Sequence, residues 1–224
     1  MVTRCGALFV VLLVPAWGTT IYSNFSAGNT FDQNDGFELG NIGTGDIVAL
    51  AQQFTPTGNF TLDQIDLAFF ALITPPDNEL TLSINADNDG LPGVVLESFN
   101  LTNAFGQNQI DTADSTLHPL LVDGSNYWIV ASFTDPASTN DKALWNLSNN
   151  TSVTFSPSAF STDNGTTWAA SGQSTEMAVF DVLGTESAVP EPGPSTLVCT
   201  GLLLFAGLGI WRWRAARKLA SRVI

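Results

Sequence analysis

Glu79-Leu80-Thr81-Leu82-Ser83-Ile84-Asn85 alternates polar and apolar residues without a break. Because successive side chains of a β-strand point to opposite faces, this period of two places Leu80, Leu82 and Ile84 on one buried face. The stretch from Asp87 to Gly93 follows at once, and its Asp, Asn and Gly residues tolerate the positive φ angles that tight turns need. The sequence therefore predicts a strand that enters a hairpin.

Similar patterns, separated by turn signals, occur along most of the chain. We predict further strands at Thr20 to Asn24, Ile47 to Phe54, Phe60 to Leu62, Ile65 to Leu72, Val94 to Leu101, Tyr127 to Phe133, Ala143 to Leu147, Val153 to Phe155 and Glu176 to Leu183. The apolar phase slips by one residue between Leu62 and Ile65, which predicts a β-bulge or a strand break. No amphipathic helix of ten residues is found outside the two ends, so the pattern favours an all-β, antiparallel, jelly-roll-like β-sandwich.

The region from Thr19 to Glu186 has the composition of one exported domain. Its 168 residues contain no cysteine, so burial and hydrogen bonding, rather than disulfides, must stabilise it. Twenty of the 21 acidic residues lie here, against Lys142 alone. Nucleic-acid binding is excluded because phosphate contacts need clustered Lys and Arg.

Both ends of the chain are hydrophobic. Residues 1–18 have one charge, Arg4, an apolar run, and small residues before Thr19, which predicts a secretory signal peptide cut by signal peptidase. Gly193 to Trp211 is an uncharged run of 19 residues, and at ~1.5 Å per helical residue it matches a bilayer's hydrocarbon core. The basic residues that follow predict a cytoplasmic C-terminus and act as a membrane stop signal: Arg212, Arg214, Arg217 and Lys218.

The C-terminal order of motif, span and basic tail resembles a known sorting signal. Val189, Pro190, Glu191 and Pro192, followed by the apolar run and the arginines, resemble the PEP-CTERM signal of Gram-negative bacteria. The resemblance implies recognition and processing by an exosortase. An ordinary type I membrane anchor with a proline-containing linker is the alternative.

The body of the chain resembles a second family. The segments that carry the resemblance to choice-of-anchor R domains are Tyr22 to Phe25, Asp87 to Gly93, Leu96 to Phe99, Tyr127 to Ala131 and Ser161 to Trp168. That family implies display on a surface without a known catalytic residue. The expected organisation is a signal peptide (1–18), an ectodomain (19–186), a proline-rich linker (187–194), a transmembrane helix (195–213) and a basic tail (214–224).

One turn has half of a calcium-loop pattern. Asn85, Asp87 and Asp89 place oxygen ligands at the first, third and fifth positions of an EF-hand-like loop, with Gly90 at the sixth. The acid required at the last position is absent, because Glu97 comes one residue late. A calcium site and a plain hairpin turn are the two interpretations, and no other cofactor is expected.

Catalysis has little support in the sequence. His118 is the single histidine and the region from Thr19 to Glu186 has no cysteine, so neither a Cys-His pair nor a multi-histidine zinc site can form there. A Ser-His-Asp triad and a pair of carboxylates for glycoside hydrolysis stay open, but no Gly-x-Ser-x-Gly motif occurs. We expect a non-enzymatic protein, with a secreted hydrolase as the remoter alternative.

Sugar binding is the nearer alternative. Trp128, Trp145, Trp168, Tyr22 and Tyr127 are either core residues or exposed rings that stack on sugars. Trp168 follows the polar turn at Asp163 to Gly165 and is the expected carbohydrate contact. The protein is thus expected to pass through the inner membrane and to reside at the cell surface or in the exopolysaccharide matrix, with exopolysaccharide as its partner.

Overall fold

A computed structural model describes residues 18–41, 43, 45–73, 79–102, 109–134, 142–171 and 176–187. All of these lie in the first of the two compact units of the chain, Met1–Ser187 and Ala188–Ile224. No helix in the described part is long and apolar enough to cross a membrane. The expected signal-peptide run, sorting motif, transmembrane helix and basic tail lie outside the described residues.

The described residues form an all-β fold with antiparallel sheets and no helix. The strands are β1 (Thr19–Ser23), β2 (Asp32–Asn41), β3 (Ile47–Phe54), β4 (Phe60–Leu67), β5 (Phe69–Ile73), β6 (Glu79–Asn88), β7 (Leu91–Thr102), β8 (Asp111–Asp114), β9 (Leu120–Leu121), β10 (Tyr127–Phe133), β11 (Lys142–Leu147), β12 (Ser158–Ser161), β13 (Ala169–Ala170) and β14 (Phe180–Glu186). The predicted bounds of β3 and β10 are confirmed, and the other predicted strands lie within a few residues of observed ones, with one exception described below.

The strands form two sheets. The smaller has the order β1-β14-β4-β8, with β9 also paired to β4. The larger has the order β5-β11-β2-β3-β10-β6-β7, and β12 pairs with β3 and β13 with β12. One apolar cluster joins the inner faces of both sheets, so the arrangement is sandwich-like. Leu80, Leu82 and Ile84 lie in that cluster and are fully buried, which confirms the face predicted from the alternation.

The phase slip in β4 is a β-bulge. On the neighbouring strand β14, Leu183 pairs with Gln64 and Gly184 with Leu62, so Asp63 has no opposing residue. The extra residue lets Leu62 and Ile65 both point into the core, where both are fully buried. The strand predicted from Ile65 to Leu72 is interrupted, because Ala68 separates β4 from β5.

The predicted strand at Val153 to Phe155 is wrong. These residues form no strand, and the Phe155 side chain is 40% exposed. They belong to a connecting segment that contacts the sheet only through isolated hydrogen bonds. One of these is donated by Gln53 N–H to the Pro157 carbonyl oxygen at 2.9 Å. The strand that pairs with β3 begins three residues later, at Ser158.

Candidate functional site

An open groove of about 590 Å³ lies between the β6–β7 hairpin and the turn that follows β12. Its lining is mixed in character and includes Asn85, Asn88, Val94, Val95, Thr166 and Trp168. The two regions singled out in the sequence, the Asn85 to Asp89 turn and Trp168, therefore border the same groove, although Asn88 and Trp168 are 80 positions apart in the sequence.

Backbone geometry shapes the hairpin side of the groove. Asn88 pairs with Leu91, which leaves Asp89 and Gly90 as a two-residue turn. Their φ angles of 52° and 82° are both positive, as a type I′ turn requires. Gly93 lies where a Cβ would come within 2.8 Å of the Asn88 Cβ and 3.0 Å of the Ala86 carbonyl oxygen. Only glycine therefore fits at this irregular part of the β6–β7 pairing.

Asp87 is the central hydrogen-bond acceptor of that wall. Its Oδ1 accepts from Trp128 Nε1 at 2.7 Å and from Gln53 Nε2 at 3.0 Å, and its Oδ2 accepts from Gly90 N–H at 3.1 Å. Both donors to Oδ1 come from neighbouring strands, β10 and β3. The carboxylate thus connects the turn to the sheet beneath it, and charge-assisted hydrogen bonds of this kind are the stronger ones.

The neighbouring Asn85 side chain is also engaged. Its Oδ1 accepts from Ser83 Oγ at 2.7 Å, and its Nδ2 donates to the Gly93 carbonyl at 2.9 Å. Within the described residues, no group of three or more His, Cys, Asp or Glu side chains is placed to hold a metal ion. Calcium at Asn85, Asp87 and Asp89 stays a prediction, and binding there would compete with the donors that the Asn85 and Asp87 oxygens already have.

The Trp168 side of the groove is fixed by an Asp-centred turn. Asp163 Oδ1 accepts from Ser161 Oγ and from Thr167 N–H, each at 2.7 Å, and Oδ2 accepts from Thr167 Oγ1 at 2.7 Å. These hydrogen bonds, led by the one from Ser161, lower the pKa of Asp163 to about 2. The carboxylate is therefore ionised at neutral pH and holds the turn that ends at Trp168.

Trp168 is half-buried, with part of its surface on the groove. It packs against a small cluster formed by Ala51, Trp128, Val130 and Ala159. A ring supported from below and open on another side is a suitable stacking platform, because it loses little conformational freedom when a ligand binds.

The other candidate aromatics belong mainly to the core. Trp128 and Trp145 are fully buried and Tyr127 is buried. Trp145 Nε1 donates to the Val179 carbonyl at 2.8 Å. Tyr22 is half-buried and stacks on Phe180 with ring centroids 4.9 Å apart. Of the five rings, Trp168 alone lines the groove.

His118 lies in the 115–118 loop, next to the bulge in β4. Its Nδ1 lies 2.8 Å from the Leu62 carbonyl oxygen and 3.5 Å from Asp63 Oδ1. The nearby Ser115 hydroxyl donates to Glu97 Oε2 at 2.6 Å rather than to the imidazole. These hydrogen bonds hold the loop against β4 and β7. They do not activate Ser115 as a nucleophile, because its hydroxyl proton is directed to Glu97 and not to the imidazole.

Glu97 is the side chain that holds the 115–118 loop. Its Oε1 accepts from the backbone N–H of Thr116 at 2.7 Å and of Leu117 at 3.0 Å. Burial raises its pKa, but the hydrogen bonds from Ser115, Thr116 and Leu117 outweigh burial, so the pKa lies below its ordinary value. Glu97 is thus engaged away from the Asn85 to Asp89 turn.

Sequence reasoning missed several groove residues. Val94 and Val95 were assigned only to a strand, yet their side chains are 75% and 52% exposed. Successive side chains of a regular strand point to opposite faces, so two adjacent apolar residues cannot both be buried in the core. This adjacency is the one sequence signal that indicates an exposed valine here. Asn88 and Thr166 carry no distinguishing pattern. The sorting residues Val189, Pro190, Glu191 and Pro192 lie outside the described part of the chain.

No protein-family model matches the chain, and no curated protein has a significantly similar sequence.

Proposed function

We propose that this chain is an exported, non-enzymatic protein of the bacterial cell surface or extracellular matrix, sorted by a C-terminal PEP-CTERM signal. It consists of a jelly-roll-like β-sandwich ectodomain followed by a proline-rich linker, one transmembrane helix and a basic tail. Signal peptidase removes residues 1–18, the helix stops transfer in the inner membrane, and an exosortase processes the chain near Pro190-Glu191-Pro192.

The observation that carries this proposal is the order of three features at the C-terminus. Pro190 and Pro192 disfavour helix on either side of Glu191. The uncharged run has the length of a bilayer's hydrocarbon core. Five of the seven basic residues lie in the last 13 positions, as the positive-inside rule expects of a cytoplasmic tail.

The test is the intact mass and the cell fraction of the mature protein in its native host. Wild type is compared with a variant that combines Pro190→Ala, Glu191→Ala and Pro192→Ala, and with the control Pro194→Ala just outside the motif. We expect wild type and control to end near residue 190 and the triple variant to stay full length in the inner membrane. Retention of residues 193–224 in all three would establish an ordinary type I anchor instead.

We also propose that the ectodomain binds carbohydrate, as a second candidate function. The supporting observation is that Trp168, exposed apolar side chains and amide groups line one open groove. Aromatic rings stack on the C–H faces of sugars, while side-chain amides hydrogen-bond to hydroxyl groups. Retention of the full chain on the host's own polysaccharide, reduced by Trp168→Ala and unchanged by Phe155→Ala, would support this function. Equal retention of all three proteins would argue against the groove.

A further inference from the structure

We infer that the groove selects neutral glycans and rejects uronate-containing or sulfated ones. This inference rests on the proposed carbohydrate function and names the class of sugar. It follows from the carboxylates near the groove and from the lack of Lys or Arg side chains among its described lining residues.

Among the residues that the structure describes, no Lys or Arg lines the groove to pair with an anionic sugar. Lys142 is the one Lys or Arg between residues 5 and 211. It lies on β11, four strand positions from β6 in the sheet order, or about 19 Å at the usual strand spacing. Its Nζ is already 3.2 Å from Glu38 Oε2. A ligand carboxylate or sulfate in the groove would thus lack the Arg or Lys partner that such groups usually have in proteins.

Negative charge instead lies in the groove wall and in the turns next to it. Asp87 lines the groove, Asp89 belongs to the turn of the same hairpin, and Asp163 lies two residues before the lining residue Gly165 and has a pKa of about 2. The hydrogen bonds to Asp87 and Asp163 come from neutral donors, so neither carboxylate is neutralised by a cation. At physiological ionic strength, like charges within about 8 Å still repel one another.

The remaining surface suits an uncharged sugar. Val94 and Val95, 75% and 52% exposed, extend the apolar surface next to Trp168. Asn88 and Thr166 add polar groups at the same groove. A pyranose with apolar C–H faces and hydroxyl edges, or one with an N-acetyl methyl group, complements such a lining without burying a charge.

Val94→Lys is the sharpest test, because it adds the missing cation at a side chain that is 75% exposed and bears little on folding. The full chain, in a detergent without a sugar headgroup, is run through native gels that contain dextran, hydroxyethylcellulose, alginate or hyaluronate. We expect the wild type to be retarded by at least one neutral polymer and by neither anionic one. Val94→Lys should gain retardation by alginate or hyaluronate, because it places a cation in the groove.

Trp168 variants and controls complete the design. We expect Trp168→Ala to weaken neutral binding about tenfold and Trp168→Phe to retain most of it, because the ring is the contact. Phe155→Ala, an aromatic change outside the groove lining, should match wild type. Thermal unfolding of each variant shows whether weaker binding results from the loss of a sugar contact or from the loss of the folded structure. If Trp168→Ala unfolds, Val94→Lys still tests the inference.

Each other outcome contradicts the inference in a different way. Wild-type binding to alginate or hyaluronate in EDTA would overturn neutral selectivity while leaving carbohydrate binding intact. Anionic binding that needs calcium would also overturn it and would favour a calcium-bridged site at the turn. Binding to none of the four polymers, with the fold intact, would remove the carbohydrate function and the inference with it.

Discussion

Buried or partly buried polar side chains decide the local geometry at the residue scale. Asp87 receives hydrogen bonds from Trp128 and Gln53, which belong to the two central strands β10 and β3. Trp128 is fully buried, so its indole N–H has no access to solvent as a substitute acceptor. The groove wall therefore depends on one carboxylate, because an unsatisfied buried donor costs more than the hydrogen bond itself contributes.

We predict that Asp87→Ala destabilises the protein by about 3 kcal/mol, because it leaves the Trp128 and Gln53 donors without an acceptor. Chemical denaturation of the full chain measures the loss in free energy of unfolding. Asn88→Ala, an exposed change on the same strand, is the matched control and should stay within about 0.5 kcal/mol of wild type. Equal effects of the two changes would mean that water replaces the carboxylate.

Asp111 makes the stability pH-dependent. Burial raises its pKa to about 7, although Gln109 Nε2 donates to Oδ1, and Oδ2 has no hydrogen-bond partner within the described part of the chain. A folded-state pKa above the unfolded value means that the folded state holds the proton more tightly. The stabilising contribution is therefore complete below the unfolded pKa and is lost as pH rises toward about 7.

We accordingly expect Asp111→Asn to melt near the wild-type temperature at about pH 3, below the unfolded pKa, and above it at about pH 8, since the amide carries no charge to bury. Asp114→Asn, on the same strand but exposed, should leave the wild-type pH profile unchanged. Burial also raises the pKa of Asp181, so Asp181 adds a pH dependence of stability with the same sign. That contribution is present in the wild type and in both variants and does not affect the comparison. A wild-type profile in Asp111→Asn would contradict the prediction.

At the scale of secondary-structure elements, strand pairing in the smaller sheet depends on one β-bulge and one glycine. Asp63 bulges out of β4, and β14 has Gly184 opposite the neighbouring residue Leu62. A Cβ on Gly184 would lie 2.6 Å from Ile21 Cδ1 and would overlap the Thr61 carbonyl oxygen. The close approach of β1, β14 and β4 therefore leaves no room for a side chain at this position, and the backbone carbonyl cannot move without loss of pairing.

Gly184→Ala should cost about 3 kcal/mol of unfolding free energy, because the clash involves backbone and a core side chain rather than a flexible tip. Denaturant unfolding provides the measurement. The neighbouring Thr185→Ala removes one exposed hydrogen bond to Asp63 and should cost less than about 1 kcal/mol. An unchanged free energy of unfolding in Gly184→Ala would show that β4 and β14 lie far enough apart to admit a methyl group.

Net charge is the main property at the scale of the whole molecule. The region between Asp32 and Glu186 has twenty acidic residues and a single Lys, so nineteen negative charges remain unbalanced. Such a surface resists association and repels anions, but self-repulsion also disfavours the compact state. The sandwich-like core, which joins both sheets in one apolar cluster, must outweigh that repulsion without disulfides.

We therefore predict that sodium chloride stabilises this protein. Raising the salt from about 20 mM to about 500 mM should raise the melting temperature by several degrees, because screening shortens the range of repulsion. Sorbitol at equal osmolality is the control and should give a smaller rise. A melting temperature that is independent of salt would show that the carboxylates lie too far apart to interact.

The sequence predicted much of the fold because period-two alternation is a local signal. β3 and β10 were assigned to the residue, and the bulge near Asp63 was visible as a phase slip. β2 was missed because Asp32–Asn41 is polar and glycine-containing, and its pairing with β11 and β3 defines it as a strand. Val153 to Phe155 had a strand-like composition but no pairing partner. The β-propensity of a segment expresses only a preference, and whether the segment becomes a strand depends on the strands available to pair with it.

By itself, the sequence determined the class of the fold, its main turns and its charge, because alternation, turn chemistry and composition are properties of neighbouring residues. Only the tertiary structure decided that Trp168 and the Asn85 to Asp89 turn border one groove, that Asp87 is held by Trp128, and that Glu97 faces the 115–118 loop. These are contacts between residues distant in the chain, and they depend on sheet order and register. The site therefore followed from the fold, since no local pattern encodes which strands become neighbours.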